Sequence, residues 1–137
     1  MMDVTFAASV TFAASKSFPV EDDVYFRTLM RYVEANPLKA NLVDHSQDWQ
    51  WSSLGCVPGL KDKALDPWPV ARPRNWLALV DQPMGETENR RVRDSLARGR
   101  PLGSDSWTKE MAERLGLQYT LRPRGRPKQP ALENAGK

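Results

Sequence analysis

The chain has one cysteine, Cys56, and one histidine, His45, among 137 residues. A single cysteine excludes an internal disulfide and fits a reducing compartment. With no histidine beside it to mark an activated thiol, Cys56 reads as a small buried or loop residue. One histidine and one cysteine eleven residues apart do not supply the converging ligands of a metal site, so His45 reads as a surface loop residue. No Gly-rich phosphate loop occurs, and no Ser/His/Asp set can be assembled. No apolar run approaches the roughly 20 residues that span a bilayer. The N-terminus lacks the Lys/Arg start of a secretory signal. These absences lead to the expectation of a soluble, cytoplasmic protein without a bound metal.

What is present is breakage and uneven charge. Eleven prolines and eight glycines imply short elements around a modest core, in a chain of one-domain length. Residues 1–70 hold 6 Lys/Arg and 9 Asp/Glu, net −3, whereas residues 71–137 hold 14 and 8, net +6. A polyanion would bind the second half.

The chain opens on a tandem hexapeptide, VTFAAS at Val4–Ser9 and again at Val10–Ser15. Two copies are too few for a solenoid, and residues 1–16 are expected to be weakly structured. A helix should follow Pro19, with Glu21, Asp22 and Asp23 in its first turn and Val24, Phe26, Leu29, Met30 and Val33 near helical spacing. It should end by Ala35 or Asn36, because Pro37 disfavours helical geometry in the residue before it. Asn36 is placed to cap a second helix over 37–42, with Leu38, Leu42 and Val43 turned inward. Ser46 is a plausible cap, Trp49 and Trp51 at period two suggest an extended or turn segment, and Ser52–Gly55 suggests one more turn. Residues 56–73, with four prolines, read as loop. Helices are expected over 74–80, over 87–98 with Gly99 as its stop, and over 105–115 capped by Ser104. Trp107, Met111 and Leu115 fall on one face of the last helix.

Two stretches offer contacts to nucleic acid. The helix over 87–98 carries Arg90, Arg91, Arg93 and Arg98, which form either a solvated face or a phosphate-contacting one. The tail reads RPRGRPKQ over 122–129 and resembles an AT-hook, a peptide that lies in the minor groove of A·T-rich DNA. Gly125 permits close approach to the groove floor, Pro127 keeps the chain extended, and Arg124 and Arg126 suit a narrow, negative groove. Arg122 and Lys128 add phosphate contacts. A basic solubilising tail is the competing reading.

Four stretches in order, RYVEANPLKANLV (31–43), DWQWSSL (48–54), GRPLGSDSW (99–107) and RPRGRPK (122–128), resemble the REP-associated tyrosine transposases. These are single-tyrosine transposases with a His-hydrophobic-His motif, and the resemblance covers residues 17–128. It implies an enzyme acting on single-stranded or hairpin DNA at palindromic repeats, through a helix-borne tyrosine that forms a 5′-phosphotyrosine link. Mg²⁺ held by two histidines polarises the phosphate in such enzymes. The matching tyrosine is Tyr32, and Asn36 one turn on stands where a polar side chain assists the metal in relatives. Helix capping is an equal alternative for Asn36.

The His-hydrophobic-His pair has no counterpart upstream of Tyr32, where the VTFAAS duplication stands. The resemblance therefore implies a mainly α chain, the helical C-terminal fragment of the α/β (ferredoxin-like) transposase fold, with disordered termini. Its expected segments are the weak N-terminus 1–16, the tyrosine-helix part of the catalytic domain 17–57, a Pro-rich loop 58–73, a helical region 74–120 and the basic tail 121–137. DNA is the expected partner. No cofactor is expected in this chain, although Mg²⁺ serves intact members. Tyr32 is expected as a nucleophile by descent or as an ordinary helix aromatic, and the whole as an inactive transposase, a DNA-binding remnant or regulator, or a remnant that does not fold.

Overall fold

In the computed structural model, the described residues are 6–10, 16–55, 66–123 and 125. They are mainly helical. The elements are β1 (Phe6–Val10), β2 (Lys16–Val20), α1 (Asp23–Glu34), α2 (Asn36–Lys39), a 3-10 turn (Ser46–Asp48), α3 (Trp76–Asp81), α4 (Glu86–Arg98), α5 (Asp105–Arg114) and a second 3-10 turn (Gln118–Leu121).

The first difference from expectation lies at the N-terminus. Residues 6–10, expected to be weakly structured, pair antiparallel with β2, from Phe6 opposite Val20 to Val10 opposite Lys16. The other edge of β2 is also taken. The Leu102 amide donates to Pro19 O at 2.9 Å and the Glu21 amide donates to Leu102 O at 3.0 Å. The bridge Val20–Leu102 runs parallel. Pro19 has no N–H, so it takes part in pairing through its carbonyl alone. The GRPLG stretch thus acts as a one-residue third strand.

This small sheet supports α1. Phe18 and Val20 of β2, Phe26 and Leu29 of α1, Val92 of α4 and Leu102 form one buried cluster. Each such side chain contributes about 1.5–3 kcal/mol by leaving water. A second cluster gathers Ala35, Trp76 and Val80. Met30 and Trp68 touch both clusters. Trp68 stands edge-on to Phe26 at 5.6 Å and to Trp76 at 5.1 Å, a geometry that aromatic pairs favour. The segment expected as plain Pro-rich loop therefore carries an aromatic that joins the two clusters, with irregular backbone on either side. Residues from 17–55 and 74–120 share one core.

The local signals for α1 held. Asp22 caps it, accepting from the Val24 and Tyr25 amides at 2.9 and 3.1 Å, and the helix stops at Glu34 with Ala35 as cap. Gly99, at φ 70°, closes α4, in the left-handed region where glycine is unstrained. Three details differ. Helix α2 ends at Lys39, not residue 42, because Asn41 turns left-handed at φ 54°, which leaves Leu42 exposed. Val24 of α1 is exposed, and so is Leu115, which leaves the α5 face to Thr108, Met111 and Ala112. Ser104 occupies the cap position of α5 without accepting from that helix. Its amide and hydroxyl donate to the Glu21 carboxylate at 2.5 and 3.1 Å. A carboxylate brought from the end of β2 thus sits at the positive end of α5.

Candidate nucleic-acid interface

Tyr32 lies near the C-terminal end of α1, half-buried, with its ring against the main core cluster. The chain then continues through Ala35 into α2 almost without a break. Ala35 N–H donates to Arg31 O, and Lys39 N–H donates to Ala35 O, both at 3.0 Å. Helical continuity puts Tyr32, Asn36 and Lys39 on one face, at positions i, i+4 and i+7. Opposite them, α4 contributes Asn89 and Arg93. Together with Ala40 these residues line one open hollow.

Asn36 is inside α2, whose cap is Ala35, and no side-chain hydrogen bond caps this helix. The capping role considered for Asn36 is overturned, and its amide belongs to the hollow instead. The Lys39 ammonium lies 4.2 Å from the centre of the Tyr32 ring, a cation–π contact. Partial burial, followed by the nearby Arg31 and Arg93 guanidiniums, holds the Lys39 pKa below its ordinary value. An anion in the hollow would relieve both effects, since it restores a favourable partner to the charged ammonium.

Arg31 is held apart from this anion site by a structural duty. Its Nη2 donates to Gln82 O and Pro83 O, each at 3.1 Å, at the C-terminal end of α3, where a cation is favoured. The pair of contacts ties α1 to the loop leading into α4.

The sequence-selected arginines divide. Arg93 is in the hollow. Arg91 is engaged elsewhere, its guanidinium donating to Tyr25 Oη at 3.3 Å and to Asp105 Oδ1 at 3.4 Å. Arg98 donates to the carbonyl of Arg122, which ties the start of the tail to α4. Arg90 is exposed and does not line the Tyr32 hollow. The four arginines of α4 therefore do not form one phosphate-contacting face. Arg124, Arg126 and Lys128 lie outside the described residues. Lys39 and Asn89 were missed in the sequence, although the seven-residue step from Tyr32 to Lys39 was a readable signal for the former.

The metal implied by the resemblance can be tested against these side chains. The hollow offers two amides, two cations and a phenol, with neither carboxylate nor imidazole. Hard divalent ions take carboxylate and carbonyl oxygens, and Lys39 and Arg93 would repel them. The residues present do not fit Mg²⁺, but they do fit an oxyanion. Among the described residues no group of three or more His, Cys, Asp or Glu converges.

His45 is bonded rather than free. Its Nδ1 lies 3.4 Å from Asp81 Oδ2, and the Ser46 amide and hydroxyl donate to Asp81 Oδ1 at 3.0 and 2.6 Å. Partial burial pushes the Asp81 carboxyl up, but the Ser46 hydroxyl and amide and His45 outweigh it, so its pKa is lowered. A lowered carboxylate stabilises the fold above its unfolded pKa, about 3.9, and loses that contribution as pH falls through the folded value. Asp81→Asn is expected to cost about 1–2 kcal/mol near neutral pH. The gap between the wild-type and variant unfolding curves should narrow as pH falls below about 3.9. A stability gap that stays constant from pH 7 to pH 3 would refute this.

Compared with models of protein families, with curated proteins and with solved structures, the chain matches none. Among the described residues no helix is long and apolar enough to cross a membrane.

Proposed function

We propose that this chain is a DNA-binding protein of the tyrosine-transposase type, which seats a backbone phosphate of single-stranded or hairpin DNA in the Tyr32 hollow without cutting it. One observation carries the reading. Two cations, Lys39 and Arg93, and two amides, Asn36 and Asn89, converge from α2 and α4 beside the tyrosine singled out by its surrounding sequence. Guanidinium and ammonium groups neutralise a phosphate, and carboxamide N–H groups donate to its free oxygens. The net +6 of residues 71–137 adds a general attraction for a polyanion. Cleavage by Tyr32 would need a group that polarises the phosphate, and the donor set here suits holding an anion rather than a divalent ion.

The test is fluorescence anisotropy with a palindromic hairpin strand across roughly 50–200 mM salt. Affinity should fall as salt rises. Lys39→Ala and Arg93→Ala should each weaken binding several-fold and shrink the salt slope by about 0.7–0.9. Tyr32→Phe should leave affinity within about twofold. Unchanged binding in both cation variants would reject the site. A covalent DNA adduct formed with Mg²⁺, and abolished by Tyr32→Phe, would replace the binding reading with the enzymatic one.

A further inference from the structure

The Tyr32 hollow is one end of a longer groove. A second hollow, of about 340 Å³, shares Lys39 and Asn89 with the first and extends between α2 and α3. Its walls are Leu38, Val80, Pro83 and Met84, with Asp81 at the margin. This volume lies at the low end of the roughly 300–1,000 Å³ typical of small-molecule sites. The groove is thus graded, with cations and amides at the Tyr32 end and apolar side chains at the other. Asn89 stands where the two meet.

Resting on the phosphate reading above, we infer that the groove holds one unstacked nucleotide, its phosphate at Lys39 and Arg93 and its base against Leu38, Pro83 and Met84, with the buried Val80 as the floor beneath them. Charge gives the direction. The Asp81 carboxylate repels a phosphate from the apolar end, and the two cations attract it to the other. A base is flat, apolar on its faces and polar on its edges. It buries its faces against the aliphatic walls, while the Asn89 amide meets a polar edge with both a donor and an acceptor. A base stacked in a duplex cannot enter. The groove therefore selects single strands, loops and frayed ends, where a base can be splayed out without unpairing.

The experiment uses the full chain and three probes of mixed, G·C-rich sequence: a single strand, the same strand with abasic positions, and its duplex. G·C-rich DNA keeps any A·T-selective contact of the tail out of the comparison. The intact strand should bind about tenfold more tightly than the abasic one, a difference worth about 1.4 kcal/mol. The duplex should bind no more tightly than the abasic strand. Met84→Ser and Leu38→Ser should narrow the intact-to-abasic ratio toward one. Partial unfolding lowers both affinities alike and leaves their ratio unchanged, so the ratio reports the groove itself. If intact and abasic strands bind equally while Lys39→Ala still weakens both, the base seat is wrong and the phosphate site stands. If Lys39→Ala and Arg93→Ala change nothing, both readings fall together.

Discussion

Glu34→Ala is expected to destabilise the protein by about 3–5 kcal/mol, the range for removing one partner from a buried charged network. Glu34 closes α1 and is only 2% exposed. Its carboxyl group accepts from the Trp76 indole N–H at 2.6 Å and from the Ser53 hydroxyl. Arg72 approaches the same group at 3.9 Å while lying over the Trp68 ring at 4.2 Å. One side chain therefore ties α1 to α3, to the WSSL stretch and to the Pro-rich segment. Truncation leaves the buried indole N–H without an acceptor and opens a cavity, and these two costs add. For a domain of this size the melting temperature should fall by more than about 10 °C, read by circular dichroism. Glu34→Gln keeps the shape and an acceptor for Trp76 and should cost less than half as much. Trp76→Phe removes the donor together with part of the buried ring, a packing loss that the cycle subtracts. A double-mutant cycle between the two positions should show coupling above about 1 kcal/mol. Additive losses would mean that the indole bond contributes nothing.

Gly103→Ala is expected to cost about 2–4 kcal/mol, from overpacking together with a lost helix cap. A Cβ at this position would lie 2.5 Å from both Glu21 Oε2 and Trp107 Cε3, and 2.8 Å from Glu21 Cβ. The Glu21 carboxyl end could swing away, but only by abandoning the Ser104 amide and hydroxyl. Trp107 cannot yield as easily, because a ring moves as a whole. Glu21→Ala, which removes the cap without a clash, should cost about 1 kcal/mol. In the Glu21→Ala background, Gly103→Ala should lose part of its penalty, since the contact with Glu21 Oε2 vanishes while those with Glu21 Cβ and Trp107 remain. Equal penalties in both backgrounds would place the whole clash on Trp107 and the residue-21 Cβ.

Local chemistry was the legible part of this fold. The acidic start of α1, the stop before Pro37, the Gly99 cap and the bounds of α4 and α5 follow from signals within a few residues of each other. Less legible were the contacts that join distant segments. Nothing near Leu102 announces that it pairs with β2, because a single bridging residue has no strand periodicity. Nothing in the DPWPV stretch marks Trp68 as the link between two clusters, since prolines mask any pattern there. Nothing beside Glu34 marks it for burial, which its distant partners Ser53, Arg72 and Trp76 make tolerable, the last 42 residues away.

The candidate site divides the same way. Tyr32 and Asn36 were visible through the stretch around them, and Lys39 was one further step along the same face. Asn89 was hidden, because its place depends on how α4 lies against α1. Of four arginines on α4, charge alone could not separate Arg93, which faces the hollow, from Arg91, which is taken up by Tyr25 and Asp105.

The bond between Glu21 and Ser104 spans 83 positions, and the Val20–Leu102 bridge beside it is nearly as long-range. Closing so long a loop is slow compared with forming a helix turn. During synthesis, β2 and α1 leave the ribosome well before the residue that completes their sheet. Until Leu102 arrives, Phe18, Val20, Phe26 and Leu29 present an unfinished apolar surface to the cell. The nascent chain is therefore at its most vulnerable to proteases and to self-association over most of its elongation. Its Tyr32 hollow, walled on one side by the Glu86–Arg98 helix, comes into being only after that helix has emerged.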